Sequence, residues 1–151
     1  MAKSKAKILV VDDNSGIRAA LQLLLPMHFA QVELIPSPKE LVTRLLEFRP
    51  DVVLLDMNFH TDINTGNEGL FWLSEIKKRS PDIEVVLFTA YADIQLAVEG
   101  MKRGAFDFLV KPWDNEKLIE VLKAAYANRS KEARDASVQP ASSLKMLWGK
   151  G

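Results

Sequence analysis

Three aspartates stand where apolar runs stop: Ile8-Leu9-Val10-Val11 ends at Asp12 and Asp13, and Val52-Val53-Leu54-Leu55 ends at Asp56. If the two runs are neighbouring parallel strands, their ends bring the carboxylates together, because open α/β sheets bind ligands outside the carboxyl ends of their strands. Acids gathered in this way repel one another and raise each other's pKa unless a cation neutralises them. Their oxygens suit a hard divalent ion, Mg²⁺ or Mn²⁺. Such an ion takes one or two carboxylates and fills its shell with water and phosphate oxygens. The chemistry to expect is phosphate chemistry.

Those carboxylates need a sheet to position them. Strand-length runs fall at roughly 7–12, 31–35, 51–56, 83–88 and 106–110. The first, third and fourth are continuously apolar, as parallel strands covered on both faces should be. Amphipathic stretches lie between them. Ser37-Pro38-Lys39-Glu40 is a capping box with proline at the first helical position, and Leu41, Leu45, Leu46 and Phe48 follow on one face. Asp93 caps a helix carrying Ile94, Ala97, Val98 and Met101, which Gly104 ends. Asp114-Asn115-Glu116-Lys117 opens a last helix with Leu118, Val121, Leu122 and Ala125 inward. Five strands alternating with five helices predict an α/β protein with a doubly wound parallel sheet.

Composition narrows the class. With 151 residues, one domain and a tail is the default. Twenty basic residues balance 20 acidic ones, so no electrostatic grip on nucleic acid or an anionic membrane is expected. The lack of cysteine removes disulfides, zinc-thiolate sites and thiol chemistry, and fits a cytoplasmic location. Lys3, Lys5 and Lys7 precede an apolar run too short for a signal peptide, and no segment has the length of a membrane span. Neither a Gly-x-Gly-x-x-Gly motif nor a P-loop is present, which argues against a nucleotide cofactor. Past residue 127 the pattern changes. Residues 128–143 read as a charged, alanine-rich helical extension and a Ser/Pro/Gln linker, and 144–151 turn apolar again, like the first element of a further domain.

The acidic pair after the first strand, Asp56 after the third, Thr89-Ala90 after the fourth and Lys111-Pro112 after the fifth resemble a response-regulator receiver domain. The likeness covers residues 6–127. The longer runs Phe88-Thr89-Ala90-Tyr91-Ala92-Asp93 and Gly104-Ala105-Phe106-Asp107-Phe108-Leu109-Val110-Lys111-Pro112 are similar to receivers of NtrC-like, sigma-54-dependent transcriptional activators. Leu147-Trp148-Gly149 is similar to the opening of the AAA+ ATPase domain that follows in that family. The resemblance implies a (βα)5 sheet in the flavodoxin-like order 2-1-3-4-5.

It also implies roles. Asp56, which alone would read as a residue closing a strand-to-loop turn, becomes the phosphoacceptor once Asp12, Asp13 and Lys111 accompany it. A carboxylate can attack phosphorus and carry the phosphoryl group covalently. Asp13, Asp56 and the backbone carbonyl of Asn58 would ligate Mg²⁺ (or Mn²⁺), with Asp12 holding a metal water. Lys111, preceding a cis proline, and Thr89 would each meet a phosphoryl oxygen. Phe108 would be the aromatic that turns inward when Thr89 moves, changing the face formed by the fourth helix, fifth strand and fifth helix. Asn58 and Tyr91 would flank the water path and tune the lifetime of the phosphate. The implied partner is a sensor histidine kinase, with phosphorylation-dependent homodimers also expected.

His28 and His60 have neither triad partners nor metal spacing. Trp72 reads as helix core, Trp113 as an optical reporter, and the basic residues at 77, 78, 79, 102 and 103 as solvated helix ends. One departure stands out: residue 60 is His where receivers usually have proline, and the polar stretch 57–67 is about five residues longer than usual. Two alternatives remain at this point. One is a small Mg²⁺-dependent phosphotransferase or phosphatase, against which stands Asn58 where a second catalytic acid would be needed. The other is a receiver-like interaction module that is never phosphorylated.

Overall fold

The computed structural model describes residues 3–58 and 68–129. In chain order these form β1 (Ser4–Val11), α1 (Ser15–Leu24), β2 (Phe29–Ile35), α2 (Leu41–Glu47), β3 (Val52–Asp56), α3 (Glu68–Arg79), β4 (Glu84–Ala90), α4 (Ile94–Lys102), β5 (Asp107–Lys111) and α5, residues 115–129. All neighbouring strands are parallel, in the order β2-β1-β3-β4-β5. The expected fold class and strand order are both met. Among the described residues no helix is long and apolar enough to cross a membrane.

Alternation along the strands explains why their runs are wholly apolar. Successive side chains point to opposite faces, and each face is roofed by helices. Ile8, Val10, Val52, Leu54, Val86 and Phe88 pack with Leu21 of α1 and Leu118, Leu122 and Ala125 of α5. Leu9, Val11, Val53, Leu55, Val85 and Leu87 pack with Leu41, Leu45 and Phe48 beside α2 and with Leu73 and Ile76 of α3. Truncating any of the fully buried leucines to alanine costs about 2–5 kcal/mol, so the sheet is a stiff base for whatever its ends carry. Gly69 serves the same end: a Cβ there would stand 2.8 Å from Met57 Cα, so only glycine lets α3 close against the residue after β3.

Several local expectations are corrected. Strands β1 and β2 begin earlier than expected, at Ser4 and Phe29, while β4 and β5 run on to Ala90 and Lys111. Ser37 Oγ accepts from the Lys39 amide at 3.0 Å, as a cap should, but residues Pro38–Glu40 form a 3-10 turn and α2 starts only at Leu41. Leu46 is not on the inward face; it is 70% exposed. Five positions beyond Leu41 it sits roughly 140° around the helix. Trp72 meets the core of the α2–α3 side as expected, though it is only partly buried and lies edge-on to Phe71. Lys77 is not a solvated end: its Nζ donates to the carbonyls of Pro81 and Ile83, both at 2.9 Å, and ties the α3–β4 turn. Asp93 stands at the start of α4, but its carboxylate accepts no cap hydrogen bond. His60, most of the 57–67 loop, and the extension, linker and further-domain segments from residue 130 onward lie outside the described residues.

The amino-terminal ends of the strands form the base of the sheet, where α5 is pinned. Arg129 forks to Asp51 Oδ1 and Asp82 Oδ2, both at 2.8 Å. Asp51 Oδ2 accepts from the Lys7 amide at 2.8 Å, and Asn128 donates to the buried Glu84 at 2.6 Å.

Candidate functional site

Register places the acids. Val11 pairs with Leu55, so one step further along both strands Asp12 comes level with Asp56 at the carboxyl edge of the sheet. Both are buried, while Asp13 is partly exposed. One carboxylate oxygen from each of Asp12, Asp13 and Asp56 lies within 4.8 Å of the others. On the other side Ala90 pairs with Lys111, which brings the ammonium to the same edge, 3.1 Å from Asp12 Oδ2 and 3.0 Å from Asp56 Oδ1. The Lys111–Pro112 bond is cis, as expected.

The two buried acids each fold one oxygen onto the following loop. Asp12 Oδ1 accepts from the Asn14 amide at 2.9 Å, and Asp56 Oδ1 from the Asn58 amide at 3.0 Å. The other oxygens are left over. Among the described residues, Asp56 Oδ2 and Asp12 Oδ2 are buried without a hydrogen bond, although the Lys111 ammonium lies beside the latter. Burial and the neighbouring Asp12 raise the Asp56 pKa above the ordinary carboxylate value, against the opposing pull of the Asn58 amide and Lys111. Burial lowers the Lys111 pKa, but Asp56 and Asp12 outweigh it and the ammonium is held more firmly than usual.

The Lys111 ammonium thus faces two buried carboxylates, with that of Asp13 close by. A buried acceptor without a partner costs about 1–3 kcal/mol, and a hard cation is the natural remedy. The donor set is all oxygen, and the leftover lone pairs face one another, so these residues fit Mg²⁺ or Mn²⁺.

The remaining expected residues fall around this cluster. Thr89 is fully buried, with Oγ1 turned into the β4–α4 turn, 3.3 Å from the Ala90 carbonyl and 3.4 Å from that of Asp93. Asn58 follows Asp56 by two residues, and its side chain spans to the same turn. Tyr91 is 78% exposed. Phe108 is partly buried against the α2–α3 side of the core and lines a groove with Ile94, Pro112 and Trp113. His28 is apart from the site, at the α1–β2 turn beside Leu24 and Ile119.

Three contributors were not anticipated. Phe88 carries Lys111 Nζ 5.0 Å from its ring centroid and packs against Trp113 at 5.4 Å, linking that indole to the site. Arg18 donates to the Asp12 carbonyl at 2.9 Å and steadies the acidic turn. Asp93 receives Asn58. Phe88 had a sequence signal, since it immediately precedes Thr89 at a strand end; Arg18 and Asp93 are legible only once the loops are placed.

The family described as response regulator receiver domain matches residues 8–123. Among curated proteins, the DNA-binding transcriptional regulator NtrC of Escherichia coli strain K12 is 31% identical over 132 residues, covering 87% of this chain and 27% of that protein. The transcriptional regulatory protein ZraR of Salmonella typhimurium strain LT2 is 35% identical over 128 residues, covering 85% of this chain and 28% of that protein. The chain therefore spans little more than a quarter of the curated relatives it matches. Among solved structures, the N-terminal signal receiver domain of a two-component system response regulator from Bacteroides fragilis superposes with a TM-score of 0.74 at 58% identity, covering 82% of this chain and 98% of that one.

Proposed function

This chain belongs to the response regulator receiver domain family, of the kind found in NtrC-like two-component regulators, and we propose that Asp56 is its phosphoacceptor. The observation that carries this reading is the asymmetry of the Asp56 carboxylate. Oδ1 is held by the Asn58 amide and Lys111, while Oδ2 is buried with no hydrogen-bond partner among the described residues. A carboxylate oxygen of Asp56 attacks the phosphorus of a donor phosphohistidine. The P–N bond breaks, its electron pair stays on the imidazole nitrogen, and the nitrogen takes up a proton from solvent. Lys111, already beside Asp56, meets the incoming phosphoryl group as a point charge. Thr89 turns its hydroxyl from the β4–α4 turn toward another phosphoryl oxygen, and Phe108 follows inward.

Asp13, Asp56 and the Asn58 carbonyl would hold Mg²⁺ or Mn²⁺ directly, with Asp12 holding its water. When bound, the ion offsets the charge that gathers on the transferring phosphoryl oxygens. Asn58 and Tyr91 flank the route by which water would reach phosphorus. Neither is a strong base at neutral pH, so the phosphate is lost slowly, over minutes or longer; Tyr91→Ala should speed the loss about tenfold if shielding contributes about 1.4 kcal/mol. The partner is a sensor histidine kinase. Phosphorylation shifts a monomer–dimer balance through the face of α4, β5 and α5. Residues 144–151 begin an AAA+ output domain that activates sigma-54-dependent transcription in the cytoplasm.

The test is incubation with a small acyl phosphate and Mg²⁺. One acid-stable, base-labile phosphate per chain is expected, and none in Asp56→Asn. Full labelling of that variant, or sustained hydrolysis of free phosphate esters with no labelled protein, would overturn the assignment.

A further inference from the structure

Asn58 is joined to both sides of the switch. Its main-chain amide donates to Asp56 Oδ1 at 3.0 Å. Its side chain reaches the other way: Nδ2 donates to Asp93 Oδ2 at 2.7 Å, and Oδ1 accepts from the Ala90 amide at 3.3 Å. The first of these is short, as a bond to an ionised acceptor should be. Asp93 is likewise engaged at two points, since its main-chain carbonyl lies 3.4 Å from Thr89 Oγ1. Four residues thereby hold the β4–α4 turn against the acceptor loop, with the Thr89 hydroxyl engaged by the turn's own carbonyls.

The carboxylate of Asp93 is also out of its usual place. It stands at the N-cap position of α4, where an aspartate ordinarily accepts from the amides of the first turn, yet it makes no cap bond. Its Oδ2 is committed to Asn58 instead. A 3-10 turn at Tyr91–Asp93 leads into α4, and the Ile94 amide donates to the Tyr91 carbonyl; if Asn58 lets go, the Asp93 carboxylate can turn to the amides that follow in the first turn of α4.

We propose that the Asn58–Asp93 hydrogen bond is a latch that holds the β4–α4 turn in its unphosphorylated position. Its release transfers Asp93 from Asn58 to the N-terminus of α4. The proposal rests on Asp56 being the phosphoacceptor. Thr89 cannot leave the Asp93 carbonyl for a phosphoryl oxygen without disturbing the turn, so the latch opposes the switch and sets how much phosphorylation is needed to throw it. Asn58 is in this sense a positioning residue: its amide side chain acts on Thr89 through Asp93 and Ala90.

The test uses beryllofluoride with Mg²⁺, a mimic of the acyl phosphate, titrated into the parent, Asn58→Ala, Asp93→Ser and the double variant, with Trp113 fluorescence as readout. Asp93→Ser removes the acceptor of the latch but keeps a residue able to cap α4. Each single variant should bind about fivefold more tightly, at the low end of typical coupling between sites, and the double variant no more tightly than either single. In the ligand-free Asn58→Ala protein, the Ala90 amide should exchange faster and the amides after Ile94 in the first turn of α4 more slowly. Binding that is no tighter in both single variants, with the parent binding normally, overturns the latch and leaves Asp56 as acceptor. Absence of binding to the parent overturns both readings.

Discussion

Acids gather at both ends of the sheet, and the two ends treat them in opposite ways. At the base, Asp51 takes an Arg129 nitrogen on one oxygen and the Lys7 amide on the other, and Glu84 is met by Asn128. At the carboxyl edge, Asp12 and Asp56 are buried at least as deeply, yet each keeps an oxygen without a hydrogen bond among the described residues, and the two share the Lys111 ammonium; Asp13 lies close by. The acids of the base are satisfied, as polar groups buried for stability usually are, although Arg129 Nε in the clamp has no hydrogen-bond partner among the described residues. A cluster left short of positive charge at the mouth of a rigid sheet is kept for a ligand, and the rest of the fold tolerates its cost. Two arrays of the same side chain are told apart by their unmet valence.

Removing the base clamp should do the most harm. Arg129→Ala leaves the mostly buried Asp51 facing one donor fewer. The loss expected in urea unfolding is about 2 kcal/mol, below the usual figure for a broken buried pair because Arg129 and Asp82 are partly solvated. Phosphorylation of Asp56 should be unaffected in that variant. At the other end the sign reverses. Asp56→Asn in metal-free buffer should stabilise the domain by about 1 kcal/mol at neutral pH, because it removes a crowded charge.

That gain should depend on pH. The folded-state pKa of Asp56 lies above its ordinary value of 3.8, so between the two values the folded protein binds more protons than the unfolded chain. Stability then falls as pH rises through this window. Lowering the pH into it should therefore bring parent and Asp56→Asn together; a difference that widens as pH falls would contradict the crowding. The smallest effect belongs to the base, where Arg49 carries a φ of +55° at the end of α2. Arg49→Gly should gain about 0.5 kcal/mol, the relief of the left-handed conformation less the added freedom of the unfolded chain.

The edge of the sheet was legible because burial on both faces writes β1 and β3 as unbroken apolar runs, and an acid after such a run marks its end. Leu46 misled because an apolar residue next to Leu45 was grouped with the inward face, although five positions from Leu41 turn it roughly 140° away while Leu41 and Leu45 stay buried. Asp93 misled because the cap rule is local, while its partner Asn58 lies 35 positions away. The Arg129 fork joins residues 78 positions apart, and no periodicity records such a pairing. The strand-end residues could be read in advance because the register of parallel neighbours carries them to one edge; side-chain bonds between distant loops could not.

The contrast between the ends is tested most directly by thermal unfolding of the parent, Asp13→Ala and Arg129→Ala across an Mg²⁺ titration. The parent midpoint should climb with Mg²⁺, by the equivalent of about 2.7 kcal/mol when the ion is 100-fold above its dissociation constant. Arg129→Ala should start lower and climb by the same amount, while Asp13→Ala should stay flat. A parent midpoint indifferent to Mg²⁺, or an equal climb in Asp13→Ala, would show that the carboxyl-edge acids are not held open for a cation.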